Sequence, residues 1–192
     1  MPPVQPQPVL APLTPAAIFL VVTINEGGEA TVHDALPDLS GLVRAIGFRD
    51  PAKRLSAIAS IGSDAWDRLF GGPRPAELHP FIELNGPRHT APATPGDLLF
   101  HIRAETLDVC FELAGRILKS MAGAVTVVDE VHGFRFFDNR DLLGFVDGTE
   151  TPTAHWPSAP PPSGRRTPSS RARAMCMYRS TYTTCRHGSR FR

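Results

Sequence analysis

The sequence predicts an α+β domain, an antiparallel sheet with helices on one face, and three observations predict it. Residues 17–24 (AIFLVVTI) are a short apolar run rich in branched side chains, the composition of a buried strand. Residues 105–121 carry apolar side chains at helical spacing, and residues 98–103 alternate between two faces. At 192 residues the chain has room for one domain and a tail, since a compact domain takes roughly 100–200 residues.

The elements follow in order. After the first strand, Leu39, Leu42, Val43 and Ile46 recur at helical spacing from Pro37 to about Gly47, and Gly41 weakens that helix by about 1 kcal/mol. Residues 55–61 are a second apolar run. Ser63 is expected to cap a short helix through Phe70, which Gly71-Gly72-Pro73 ends. Residues 73–96 hold six Pro without a clear period and predict a long loop, with one short strand at 81–84. In the third strand Leu98, Phe100 and Ile102 share one face; Leu99, His101 and Arg103 share the other.

The clearest helix, 105–121, aligns Leu107, Cys110, Phe111, Ala114, Ile117, Leu118 and Met121 in a stripe, opposite Asp108, Glu112, Arg116 and Lys119. A fourth strand runs from Ala124 towards Phe137. The order β-α-β, an excursion, then β-α-β is that of a ferredoxin-like sandwich. Such a sheet leaves its second face in need of a partner. Phe100, Ile102 and the Val125/Val127 row are the apolar surface expected there.

Charge divides the chain. Residues 153–192 hold eight Arg, five Pro, no Lys and no acid, so the formal +1 conceals about −7 over residues 1–152. An acidic domain is a poor nucleic-acid binder. Only Cys110 precedes the tail, which excludes a disulfide framework and a zinc quartet and predicts a cytoplasmic location. The Pro-punctuated N-terminus does not read as a signal peptide, and residues 1–14 are expected to be flexible. No stretch approaches the ~20 apolar residues of a membrane span, so neither nucleic acid nor membrane is an expected partner.

The sharpest motif is Gly144-Phe145-Val146-Asp147-Gly148-Thr149-Glu150. Asp-Gly alone is a common turn dipeptide, but Arg140-Asp141-Leu142-Leu143 leads in and polar residues follow. The motif resembles the GxxDGTE signature of dye-decolourising (DyP-type) haem peroxidases. Three further stretches resemble that family in order: 61–66 (IGSDAW), 74–81 (RPAELHPF) and 94–104 (TPGDLLFHIRA). The resemblance covers about residues 10–150 and implies two ferredoxin-like halves in one chain, with haem b held mainly by the second.

It also implies roles. Asp147 would stand over the distal haem face, taking a proton from one peroxide oxygen and returning it to the departing one. Gly144 and Gly148 would let the backbone pass close to the macrocycle. Thr149 and Glu150 would organise the turn at the haem edge. His132, Arg135, Asp138 and Arg140 could shape the access rim, although a solvated loop explains them equally. His101 and Trp66 read as structural residues and Cys110 as a packed one. No metal ligand is assigned here: the axial His and a distal Arg are expected in the second half, and His155 and His187 follow no family motif. The implied partners are hydrogen peroxide, a small-molecule donor such as a dye or phenol, further copies of the chain, and an encapsulating shell protein.

Where the family continues Glu-Asn-Pro, this chain reads Glu150-Thr151-Pro152. The expected domain, 15–150, is therefore followed by a non-native-looking disordered tail, 151–192, with the composition of a G/C-rich gene read out of frame. That expectation makes the chain a peroxidase half with little or no activity. The competing readings are a ferredoxin-like module that binds a copy of itself or another small protein, and, less favoured, an Arg-tail binder of RNA or acidic lipid. Translating the nucleotide sequence across codons 140–192 in all frames is expected to show that one added base after codon 150 opens a frame beginning Asn-Pro. Codons incompatible with that frame would make the tail a genuine segment.

Overall fold

Strand β1 (Ala16–Ile24) sets the arrangement of the computed structural model, which describes residues 7–9, 11–140 and 142–143. Its residues alternate strictly between buried and half-buried. Ile18, Leu20 and Val22 are completely buried. Around β1 lie β2 (Ser56–Ile61), β5 (Leu98–Ala104) and β6 (Val125–Phe134), in the spatial order β2-β5-β1-β6 with every pairing antiparallel. A two-residue hairpin, β3 (Leu84–Asn85) and β4 (Thr90–Ala91), stands apart in the Pro-rich excursion. The α+β, ferredoxin-like class is thus the observed one.

Among the described residues four α-helices accompany the sheet: α1 (Glu29–Ala35), α2 (Leu39–Gly47), α3 (Ser63–Leu69) and α4 (Leu107–Ser120). α4 packs on α2, β1 and β5. One core joins them, with Phe100, Ile102 and Leu98 of β5 and Ile18, Leu20 and Val22 of β1 facing Cys110, Leu113, Ile117 and Met121. Cys110 is buried, and its thiol is pushed up to about 11 by burial and then by Asp108, so it packs as expected.

Four local expectations change. Helix α1 was not legible, because only Val32 of its seven residues is buried and no apolar stripe marks it. The helix expected from Pro37 begins as a 3-10 turn (Leu36–Asp38) before α2. Ser63 is not the cap of α3. Gly62 holds the N-cap position, where a Cβ would come 2.8 Å from the Gly96 carbonyl oxygen, and Ser63 Oγ instead accepts from Arg74 at 3.0 Å. On α4 the buried stripe runs Cys110, Leu113, Ala114, Ile117, Met121, while Leu107 and Phe111 are exposed. Leu113, absent from the expected stripe, lies three residues from Cys110 and four from Ile117, on the same helical face.

The open face of the sheet is also not the one expected. Phe100 and Ile102 lie buried in the row with Ile18, Leu20 and Val22, which faces the helices, whereas Val127, paired with Val22, is exposed at 41%. The opposite row holds Ala17, Phe19 and Val21, paired with Arg103, His101 and Leu99, and with Gly133, Val131 and Asp129 on the other side. On β1 and β5 the more apolar row turns to the helices, where Ile18, Leu20, Val22, Leu98, Phe100 and Ile102 are buried. Leu113→Ala is expected to lower unfolding free energy by about 2–5 kcal/mol, whereas Phe111→Ala is expected to stay within about 0.5 kcal/mol. Urea unfolding followed by circular dichroism would distinguish them.

Candidate functional site

β6 leads the chain towards the motif. Its far end is tied down, as the Arg135 N–H donates to the Pro15 carbonyl at 2.8 Å, just ahead of β1. Phe136 then bridges to Arg140 across a 3-10 turn (Phe137–Asn139), with Asp138 in the left-handed region at φ +53°. The Arg140 N–H closes the turn on the Phe137 carbonyl at 3.1 Å. Phe134, Phe136, Phe137, Leu142 and Leu143 are all exposed. This apolar run is continuous with the motif in sequence. Gly144, Asp147, Gly148, Thr149 and Glu150 lie outside the described residues, as do residues 151–192.

Among the expected rim residues, His132 Nε2 lies 2.6 Å from Glu130 Oε1, on the strand row that faces Ile18 and Leu20. Arg135 and Asp138 are exposed. The described residues contain no group of three or more His, Cys, Asp or Glu that could hold a metal ion. Trp66 is half-buried against Phe70, with ring centroids 5.0 Å apart. His101 stacks on Phe19, with centroids 4.4 Å apart and planes within 15°. Burial, then the neighbouring Arg103 charge, holds its imidazole down at about 4, so it is neutral near pH 7.

The three other family-like stretches meet at one place. The Gly62 N–H donates to the Asp97 carbonyl at 2.8 Å, and Arg74 reaches Ser63 and also pairs with Asp67. Asp97 Oδ2 accepts from the Ile24 N–H at 2.7 Å and from Arg68 at 3.2 Å. Arg68 donates further to the Ile24 carbonyl at 3.1 Å and to Glu29 at 2.6 Å. The hydrogen bond from Arg68 holds the Glu29 carboxyl below the usual range. This cluster, which sequence reasoning missed, joins β1, β5, α1 and α3. Its signal was present: three separated family-like stretches, two carrying a paired acid or base, imply mutual contact.

A cavity of about 550 Å³ opens elsewhere, between α2, the Pro51–Lys53 turn and α4. Four of its rim charges pair with one another, Lys53 with Asp108 at 2.5 Å and Arg116 with Glu112 at 2.8 Å. The hydrogen bond from Lys53, then that from Thr106, holds the Asp108 carboxyl at about 2.

A family model described as Dyp-type peroxidase, N-terminal, matches residues 6–135. The chain belongs to the dye-decolourising peroxidase family. It is 87% identical over 152 residues to a dye-decolorizing peroxidase of Mycolicibacterium paratuberculosis, covering 79% of this chain and 43% of that protein. It is 84% identical over 153 residues to one from Mycobacterium tuberculosis, covering 80% and 46%. The chain therefore spans less than half the length of these relatives. The encapsulated DyP-type peroxidase from Mycobacterium smegmatis, solved by cryo-EM, superposes with TM-score 0.76 at 79% identity, over 79% of this chain and 49% of that one. A variant of Rhodococcus jostii RHA1 DypB in complex with heme gives TM-score 0.74 at 50% identity, over 79% and 50%.

His101 gives the site region a pH dependence. The unfolded chain binds the imidazole proton from about pH 6.5 downwards, whereas the folded chain resists it until about pH 4. Unfolding then takes up a proton in that window, so stability falls as pH drops from 6.5 to 4. Urea unfolding at pH 7, 5 and 4 should show the decline, and His101→Phe should flatten it while keeping the stack.

Proposed function

We propose that this chain is the distal-side half of a haem peroxidase that reduces hydrogen peroxide at the expense of a small-molecule donor. The observation that carries the reading is family membership combined with the Asp147 motif directly beyond β6. The residues present suit the non-coordinating side of a haem. The exposed apolar run of Phe134, Phe136, Phe137, Leu142 and Leu143 matches a flat apolar ring, and Gly144 and Gly148 permit close backbone approach.

Bound haem supplies the redox chemistry that peroxide reduction requires. Asp147 holds and moves the proton: it accepts one from the first peroxide oxygen and donates it to the second as that oxygen departs. A carboxylate serves this if it is ionised when peroxide arrives. Thr149 and Glu150 hold the turn that presents it. The donor is a dye or phenol in this reading. The name of the Mycobacterium smegmatis relative, an encapsulated peroxidase, supports association of the intact protein with a shell. Intact homo-oligomers and a cytoplasmic location belong to the same proposal; no helix of the described residues is long and apolar enough to cross a membrane.

A second reading rests on the open sheet row of Phe19, Val21, Leu99 and Val131, which suits a binding module. Light scattering separates the two, because a module requires a defined oligomer. For the peroxidase reading, hemin is titrated into this chain and into the chain continued in the restored frame. The first is expected to give no His-ligated Soret band and little or no turnover; the second is expected to give both. In the active form Asp147→Asn should lower kcat/KM for peroxide about 10²–10⁴-fold. Full activity in that variant would remove Asp147 from the proton path.

A further inference from the structure

Residues 7–9 and 11–14, expected to be flexible, make specific contacts along one edge of the sheet. β2 is the outermost strand on its side, so alternate residues turn N–H and C=O groups away from any neighbour. At Ala59 a single side chain takes both. The Ala59 N–H donates to Gln7 Oε1 at 2.7 Å, and Gln7 Nε2 donates to the Ala59 carbonyl at 3.0 Å. A primary amide offers one acceptor and one donor side by side. An antiparallel neighbour exchanges the same two bonds with a residue opposite it.

Arg103 holds the same segment from the open face. Its Nη1 donates to the Ala11 carbonyl at 3.3 Å and its Nη2 to the Pro8 carbonyl at 3.0 Å. With the segment in place Arg103 is 6% exposed and Ile58 of β2 is 2% exposed. The segment does not present a new edge of its own, since Pro8 and Pro12 have no N–H to offer.

The two edges of the sheet are protected differently. On β6 the register slips between Val21 and Val22, leaving Val128 as an extra residue beside Asp129 and Glu130. A bulge and adjacent charge discourage strand addition. β2 reads SAIASI, with no charge, no Pro and no bulge in its pairing with β5. Its sequence contains nothing that would prevent another strand from adding to it. We infer that the Gln7 amide is a surrogate strand that closes the β2 edge within the chain and keeps it from pairing with β2 of a second copy. A twofold β2–β2 contact is the self-complementary pairing that an open antiparallel edge allows.

The test compares Gln7→Ala with the parent full chain by amide hydrogen exchange and sedimentation velocity. At low concentration the Ala59 amide of the variant is expected to exchange about two- to tenfold faster, the worth of one hydrogen bond, while the Leu20 and Ile102 amides stay unchanged. At higher concentration the variant is expected to form a dimer that the parent does not. Gln7→Glu keeps the acceptor and loses the donor, so it should fall between the two. Unchanged exchange at Ala59 overturns the inference. So does faster exchange without added self-association, or faster exchange shared by Leu20 and Ile102, which would make Gln7 a support of the fold.

Discussion

The structure depends on the parity of one strand. β1 is central, and its alternation decides which row of every neighbour turns inward, because side chains of an antiparallel sheet are matched across the ladder. Ile18, Leu20 and Val22 enter the helix side, and Ile102, Phe100 and Leu98 must follow them through the β1–β5 register. A slip of one residue would place Phe19, His101 and Arg103 under α4. A stacked imidazole and a guanidinium have no partners there, so the wrong register would bury unpaired polar groups at a cost of several kcal/mol.

Parity alone leaves the strand ends loose, and two devices fix them. At one end of β1 the Arg68 cluster binds both the N–H side and the C=O side of Ile24, using Asp97 for the first and the guanidinium for the second. A residue whose two backbone groups are both claimed cannot shift register without losing both. At the other end the Arg135 N–H takes the Pro15 carbonyl, so the exit of β6 is tied to the entry of β1. The ion pairs of the cluster are partly exposed and contribute little Coulombic stability. Their value is geometric.

Much of this was legible because hydrophobic period is strong in the central elements. β1, β5 and α4 follow from the residues within one or two positions, since each carries a full face of apolar side chains. The failures have a common cause. Which row of β5 faces the helices cannot be read from β5 alone, where Leu98/Phe100/Ile102 and Leu99/His101/Arg103 are both plausible until β1 pairs with them. Phe111 looks like a core residue by type, but the groove below α4 is filled by Leu113. α1 buries only Val32 and therefore leaves no periodic trace. Of the site, the Asp147 motif was legible as a motif, whereas the Gly62–Arg74–Asp97 convergence required tertiary contacts between stretches that were individually visible.

That convergence bears on how the peroxidase reading divides the work between the halves. The described half is rigidly specified up to the Phe137–Asn139 turn, which the Arg140 N–H closes on the Phe137 carbonyl. Proton transfer requires the carboxylate within hydrogen-bonding reach of its oxygen, and an error of 1 Å can cost about a hundredfold in rate. On the proposed reading Asp147 follows that turn in sequence, with exposed Leu142 and Leu143 between. Its position must then be completed by whatever covers that apolar run. On that reading the proton carrier is encoded in this half and its geometry in the contact between halves, which assigns activity to the assembled pair rather than to either part.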